Sequence, residues 1–280
     1  MWHLIIYIAK IYSIEDFKRT EFISECYYMK NHFIIQYAGN KRQEVERIEE
    51  YLHDKLEGID TIIEPYCGSS AMSCYLSMKY PKRFKYILND LDPMLIELYN
   101  IMKDRVLFDA FMVLLNETVK LIVDKQAYLE IIKPKTVLAH FIQNIVYEIK
   151  PGLYPLKYVP KKYNYDARAI LKFLREEDVS IRLGNGEDLF IEYENDPTVL
   201  CFIDPPYLKS CNGFYTKKTT NIYDYCADKK INSFKSKIMF VVEDIPTIRE
   251  LFPDNVKLSY GKRYEYNGGR NTNHIIISNI

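Results

Sequence analysis

The sequence predicts an α/β fold: a mostly parallel, Rossmann-like sheet interrupted by an insertion. Three observations carry the prediction. Short apolar runs alternate with stretches of helical periodicity up to about residue 105, and small residues gather where the first such run passes into a helix. Strand-like runs then return from Val199 onward, after a long interruption. At 280 residues the chain has room for one large α/β domain with an insertion, or for two small domains.

Taken in order, Val45, Ile48, Leu52 and Leu56 recur at helical spacing between Gln43 and Leu56, and Gly58 supplies a stop. Thr61-Ile62-Ile63 reads as a buried strand, Ser70–Met78 as the helix after it, and Tyr86-Ile87-Leu88 as a second strand. Asp92-Pro93 opens the next helix, with a carboxylate at the N-cap and proline at the first turn. From about 106 to 182 the rhythm breaks into a helical run, Phe108–Leu121, and a Pro-, Tyr- and Lys-rich stretch around Lys150–Asn164. Val199–Ile203, Ile238–Val242 and His274–Ser278 restore the strands. The expected organisation is an extension over residues 1–28, a sheet domain made of 29–105 and 183–280, and an inserted, mostly helical and hairpin domain over 106–182. Met29-Lys30-Asn31 reads like a conventional beginning, which sets residues 1–28 apart.

Composition narrows the function classes. Hydrophobic residues make up 48% and charged residues 27%, the profile of a globular protein. Lys+Arg and Asp+Glu both number 38, so a nucleic-acid partner must be argued from where the charges sit. Cys26, Cys67, Cys74, Cys201, Cys211 and Cys226 form no C-x-x-C pair and read as reduced thiols of an intracellular, cytoplasmic protein. His3, His32, His53, His140 and His274 show no ligand spacing and read as structural or surface residues, so no metal is expected. No apolar run approaches the ~18 residues of a membrane span. Trp2–Ala9 lacks a basic flank and is cut off by Lys10, so no membrane partner is expected either.

The sharpest chemical signal is Asp204-Pro205-Pro206-Tyr207 at the end of the apolar run Val199–Ile203. Two prolines fix φ and remove two backbone donors, so the chain leaves the strand rigidly with its carbonyls outward. The Asp204 carboxylate and a proline carbonyl can both accept from one –NH2 group, and the Tyr207 ring can stack on a planar base. Accepting both N–H bonds helps free the amine lone pair for in-line attack on an electrophilic methyl. The alternative is a rigid turn after a strand. Chance D-P-P-Y in a chain of this size has odds on the order of one in a thousand, which disfavours it.

The second signal is Glu64-Pro65-Tyr66-Cys67-Gly68-Ser69-Ser70-Ala71, between a strand and a helix. Its small residues let backbone approach a ligand at a helix N-terminus. Asp90, 22 residues after Gly68, ends the second strand at the spacing where an acidic side chain meets ribose hydroxyls in nucleoside-binding α/β folds.

Together these segments resemble the Dam-like family of DNA adenine-N6 methyltransferases over about residues 32–280. Tyr37-Ala38-Gly39-Asn40-Lys41 is similar to the family's aromatic-Ala-Gly-x-Lys segment, which implies that Tyr37 and Lys41 contact the methionine end of S-adenosylmethionine, beside Ala38 and Gly39. The resemblance likewise implies a cofactor loop of Glu64, Pro65, Tyr66, Gly68 and Ser70, and a ribose contact at Asp90. Asp188, in Asn185-Gly186-Glu187-Asp188, would sit near the cofactor's adenine, and Asp204 would border the cofactor as well as the target. Asp204, Pro205, Pro206 and Tyr207 are the implied catalytic residues, acting on a base flipped out of the duplex.

Two departures from the family stand out. Ser70 replaces a frequent glycine, and the insertion lacks the clear Asn-Gly-Leu-x-Arg-x-Asn hairpin of GATC readers, keeping only Asn144 and Tyr158-Val159-Pro160 as remnants. Two basic stretches flank the catalytic strand, each with a local balance of +5: Lys150–Lys172 and Tyr207–Lys237. They nominate Lys150, Lys157, Lys161, Lys162, Lys209, Lys217 and Lys218 for phosphates of double-stranded DNA, and Asn144 for bases. Methylation of RNA adenine or cytosine N4, and a catalytically silent DNA-binding protein, are the rival readings.

Overall fold

The computed structural model describes residues 41, 43–143, 167–206, 222–264 and 270–280. Helix α1 (Val45–Leu52) leads into β1 (Thr61–Glu64), α2 (Ala71–Lys79), β2 (Lys85–Asp90) and α3 (Pro93–Lys103). Helices α4 (Arg105–Lys120), α5 (Lys125–Ile132) and α6 (Val137–Phe141) follow. The chain re-enters with α7 (Arg168–Glu176), β3 (Asp178–Leu183), α8 (Gly186–Tyr193), β4 (Val199–Ile203), α9 (Ile222–Asp228), β5 (Lys237–Glu243), α10 (Pro246–Leu251), β6 (Val256–Tyr264) and β7 (Arg270–Ser278).

The strands form one seven-stranded sheet in the order β3-β2-β1-β4-β5-β7-β6. The first five are parallel, while β7 runs antiparallel to both β5 and β6. This is the Rossmann-like α/β sheet that the alternating pattern predicts. The central strands are apolar on both faces because helices cover both. Leu200 and Phe202 of β4 join a core with α1, α2, α3 and α7, while Cys201 and Ile203 join a second core with α8, α9 and α10. Asp92 caps α3 by accepting from the Met94 N–H at 2.9 Å, with Pro93 in the first turn.

The sheet also takes in residues counted from the sequence with the insertion. β3 pairs with β2 along its whole length, and α7 buries Ala169, Ile170, Phe173 and Leu174 in the core it shares with β2. Phe111, Leu115, Tyr128, Val137 and Phe141 of α4–α6 belong to that same core, so the described part of the insertion packs on the sheet domain. The four described cysteines, Cys67, Cys74, Cys201 and Cys226, are buried free thiols. No helix among the described residues is long and apolar enough to cross a membrane. Among them, too, no group of three or more His, Cys, Asp or Glu is placed to hold a metal ion.

Candidate active site

Parallel strands put the carboxyl ends of β1, β2, β3 and β4 on one edge of the sheet, and the order reversal between β1 and β4 opens a crevice there. The loop after β1 is fixed from several directions. The Cys67 N–H donates to the Asn89 carbonyl at 2.8 Å and the Gly68 N–H to Asp90 Oδ2 at 2.9 Å. Asp90 Oδ1 accepts from the Asp92 N–H at 3.0 Å, so this carboxylate ties the β1 turn to the start of α3. Burial raises the Asp90 carboxyl from its ordinary value, and the backbone donors work against that rise.

Asn89, itself buried, splits its amide between two strand ends. Nδ2 donates to the Pro65 carbonyl at 2.9 Å and to the Gly184 carbonyl at 3.0 Å. The Gly184 N–H returns a bond to the Asp90 carbonyl at 3.1 Å, so the ends of β1, β2 and β3 are tied together. The turn needs two left-handed residues, Gly68 at φ 46° and Ser70 at φ 45°. Glycine adopts that conformation freely and serine does not, which explains the family's preference at the second position. Here the Ser70 hydroxyl lies 2.7 Å from the Tyr99 hydroxyl, which donates to the Gly68 carbonyl at 2.9 Å.

These features fit a nucleoside. Leu91 and Leu183 are among the few exposed large apolar residues, at 41% and 57% accessibility. They flank Asp90 at the paired ends of β2 and β3, and the exposed Asp188 lies in the first turn of α8 just beyond. A flat apolar ring against the leucines and hydroxyls against a carboxylate match this lining. Glu64 differs from the other loop residues. It is buried at the end of β1, and its Oε1 accepts from the Ser73 N–H of α2 at 2.8 Å, which holds helix to strand. Burial, only partly offset by those hydrogen bonds, pushes its carboxyl up to about 7.

Asp204 follows β4 directly and is ion-paired with Lys41, a side chain only 3% exposed that stands just before α1. Burial raises the Asp204 carboxyl, and Lys41 pulls it back. Pro205 is buried and Pro206 half-buried beside it. Behind Lys41 lies a group that the sequence did not single out. Glu44 is ion-paired with Lys262, accepts from the Tyr260 hydroxyl at 2.9 Å and meets His274 Nδ1 at 2.6 Å. Burial alone would raise the Glu44 carboxyl; His274, Lys41 and Lys262 outweigh it and bring it down to about 2.

The structure therefore brings Lys41, Glu64, Pro65, Tyr66, Gly68, Ser70, Asp90, Asp188, Asp204, Pro205 and Pro206 to one edge of the sheet. Tyr37, Ala38, Gly39, Tyr207, Asn144, Lys150, Lys157, Lys161, Lys162, Lys209, Lys217 and Lys218 lie outside the described residues. Two lysines of the second basic stretch have structural partners: Lys229 pairs with Glu194, and Lys237 donates to the Lys55 and Glu57 carbonyls.

Residues 37–168 match the family model of the D12 class N6 adenine-specific DNA methyltransferases. The chain is an enzyme of methyl transfer, and its methyl donor is S-adenosylmethionine. The matched span takes in Lys41, the loop after β1 and Asp90, while Asp204 lies beyond it. No curated protein matches the chain. Among solved structures it is similar to the rRNA methyltransferase aviRa from Streptomyces viridochromogenes, at 15% identity and TM-score 0.40, covering 88% of this chain and 89% of that one. It is also similar to the precorrin-6y C5,15-methyltransferase from Geobacter metallireducens, at 9% identity and TM-score 0.38, covering 87% and 92%. The N-terminal domain of human METTL16, in complex with SAH, gives 9% identity and TM-score 0.35, covering 97% and 93%.

Proposed function

We propose that the chain methylates the exocyclic N6 of adenine in double-stranded DNA at a specific sequence, by base flipping, inside the cell where that DNA lies. The observation that carries this reading is the pairing of a half-buried carboxylate, Asp204, with the rigid Pro205-Pro206 exit of the central strand, beside the crevice edge set by Gly68 and Asp90. A –NH2 group placed there meets two acceptors, the Asp204 carboxylate and the Pro205 carbonyl, and its two N–H bonds fix its lone pair toward the crevice.

Asp90 and the Gly68–Ser70 turn would hold the ribose and amino-acid ends of S-adenosylmethionine, Leu91 and Leu183 its ring. When bound, it would supply a sulfonium methyl group to the nitrogen held at Asp204 and leave as the neutral thioether. Asp204 stabilises the positive charge that grows on the nitrogen and accepts the hydrogen bond along which its extra proton leaves. Residues from about 106 to 167 are the proposed recognition segment, with Asn144 directed at bases and the lysines of both basic stretches at phosphates.

The test is methylation-aware long-read sequencing of DNA from a host that expresses the chain, with nucleoside digestion of DNA and RNA products made in vitro. N6-methyladenine confined to one DNA sequence, and its disappearance in Asp204→Asn, is the expected result. Methyl groups in RNA alone, on cytosine N4, or in neither polymer would each overturn the reading.

A further inference from the structure

Strands β6 and β7 outgrow the sheet they belong to. β5 pairs with β7 as far as Glu243, opposite His274, whereas β7 starts at Arg270 and stays paired with β6 up to Tyr264. Residues 261–264 and 270–273 therefore run on past the end of β5 as a two-stranded ribbon. Its length is roughly 13 Å, at ~3.4 Å per residue. β6 points the same way as β4 and β5, so the ribbon extends from the carboxyl edge of the sheet, the edge that carries Asp204. Three strands separate β4 from β6 in the order β4-β5-β7-β6, counting β6 itself. At ~4.8 Å per strand the ribbon stands roughly 14 Å to the side of Asp204.

The two faces of this ribbon differ. Opposite residues of an antiparallel pair share a face, and the face alternates along each strand. Tyr260, Lys262, Thr272 and His274 fall on one face, and all of them are tied down. Tyr260 and Lys262 bond to Glu44, His274 Nδ1 lies against the same carboxylate, and Thr272 Oγ1 donates to Glu243 Oε1 at 3.0 Å. Gly261, Arg263, Asn271 and Asn273 fall on the other face, and all four are exposed. A Cβ at Gly261 would meet only Asn273 Oδ1, at 3.9 Å, so packing within the chain does not require glycine there. Its absence leaves backbone open to close approach from outside.

The charge on this face has one sign. Neither β6 (VKLSYGKRY) nor β7 (RNTNHIIIS) contains an acid. Asp244 lies at the root of the face, where its N–H donates to the Asn273 carbonyl at 2.8 Å, and Arg249 binds its carboxylate at 2.6 and 2.8 Å. The guanidinium of Arg263 can only donate, and the two amides can donate beside it. A polyanion with closely spaced acceptor oxygens complements such a surface.

We propose that the outer face of the β6–β7 ribbon binds phosphates of the duplex beside the extruded base, with Arg263 as its charged contact and the Asn271 and Asn273 amides as neutral donors. This role rests on the proposed action on double-stranded DNA. It adds a contact surface on the sheet domain itself, distinct from the two basic stretches read in the sequence. Phosphate contacts position a duplex without reading it, so the ribbon holds all sequences alike.

Fluorescence anisotropy on duplexes of unrelated sequence, at several salt concentrations, tests the contact. Arg263→Gln should weaken binding to each duplex about three- to tenfold and lower the log–log salt slope by about one. Arg263→Lys keeps the charge and should keep the slope. Asn271→Ala combined with Asn273→Ala should weaken binding with the slope unchanged, because amides displace no counterion. Lys85→Gln is the control: Lys85 is exposed at the start of β2, on the opposite edge of the sheet, and its loss should change neither quantity. Thermal midpoints and calorimetric affinity for S-adenosylmethionine should match wild type throughout. A wild-type slope in Arg263→Gln would overturn the proposal and leave the charge on β6 as protection of a free sheet edge. An equal fall in slope in Lys85→Gln would overturn it too, by marking a response to overall charge. A wild-type protein that binds no duplex overturns the functional reading and the ribbon's role together, which distinguishes that failure from the loss of the ribbon's role alone.

Discussion

Gly186→Ala would perturb the cofactor edge through a single methyl group. A Cβ built on Gly186 meets the Pro65 carbonyl oxygen at 2.6 Å and two carbons of the Tyr66 ring at 2.7 Å. The ring can swing, but the carbonyl is backbone, and it already accepts from Asn89 Nδ2 at 2.9 Å. Relief therefore means moving the end of β1 away from Asn89. Overpacking of this kind costs about 1–3 kcal/mol, and a weakened buried hydrogen bond adds about 1 kcal/mol. Alanine's better helix propensity returns at most about 1 kcal/mol, and less in the first turn of α8. The net loss is about 1–3 kcal/mol, and for a chain of this size that lowers the thermal midpoint by roughly 2–8 °C. Because Asn89 also spans to Gly184 and its neighbour Asp90 holds Gly68, the displacement spreads along the cofactor loop. S-adenosylmethionine affinity should fall by about tenfold alongside the melting shift. Calorimetric titration and thermal melts of the two proteins decide it. A variant with wild-type midpoint and affinity would show that the strand ends are not coupled as argued.

Asp90→Ala removes the acceptor for the Gly68 and Asp92 N–H groups as well as the proposed ribose contact, so cofactor affinity should drop about tenfold or more, by the ~1–3 kcal/mol of each lost bond; unchanged calorimetric affinity would place the ribose elsewhere. Glu64 gives a pH signature: with its carboxyl held at about 7 against an ordinary 4.5, the unfolded chain loses this proton first as pH rises. Its effect is thus a loss of stability between about pH 4.5 and about pH 7, worth about 3 kcal/mol when complete, and Glu64→Gln should flatten that slope in melts across the range. Neutralising Lys161 and Lys162 together should weaken binding to all duplexes alike and reduce the log–log salt slope by about one per lost contact, read by fluorescence anisotropy at several salt concentrations.

How far the sequence reveals this fold depends on where each element sits. The buried strands β1, β2, β4, β5 and β7 carry runs of Ile, Val, Leu and Phe that can be read directly, because helices cover both faces. The edge strands β3 (DVSIRL) and β6 (VKLSYGKRY) have one neighbour each, so charges interrupt them and no apolar run marks them. Helix α8 is not marked as a helix in the sequence, because Gly186 and two acids fill its first turn. The turn after β1 and Asp90 are visible because local motifs mark them, and Asn89 and Tyr99 sit inside segments already noticed for their neighbours. Glu44, Tyr260, Lys262 and His274 leave no such trace. More than two hundred residues separate Glu44 from its hairpin partners, and each alone looks like surface charge or a packed aromatic.

The two halves of the crevice are held by different physics, and that difference bears on how the enzyme works. On the cofactor side, the Gly68–Ser70 turn and the strand ends are fixed largely by buried neutral groups, Asn89, Ser70 and Tyr99, bonded to backbone. Such bonds are little affected by salt and hold one geometry. Even the left-handed Ser70, which costs about 1–2 kcal/mol in backbone conformation, is offset by its bond to Tyr99. On the side of Asp204 the links are charges, Lys41 to Asp204 and Lys262 to Glu44, with His274 Nδ1 against the same Glu44 carboxylate. Charges in a low-dielectric cluster answer strongly to any polar group that enters it. The turn after β1, held by neutral bonds to backbone, and the carboxylate after β4, held by charge, thus place two kinds of restraint on one edge of the sheet.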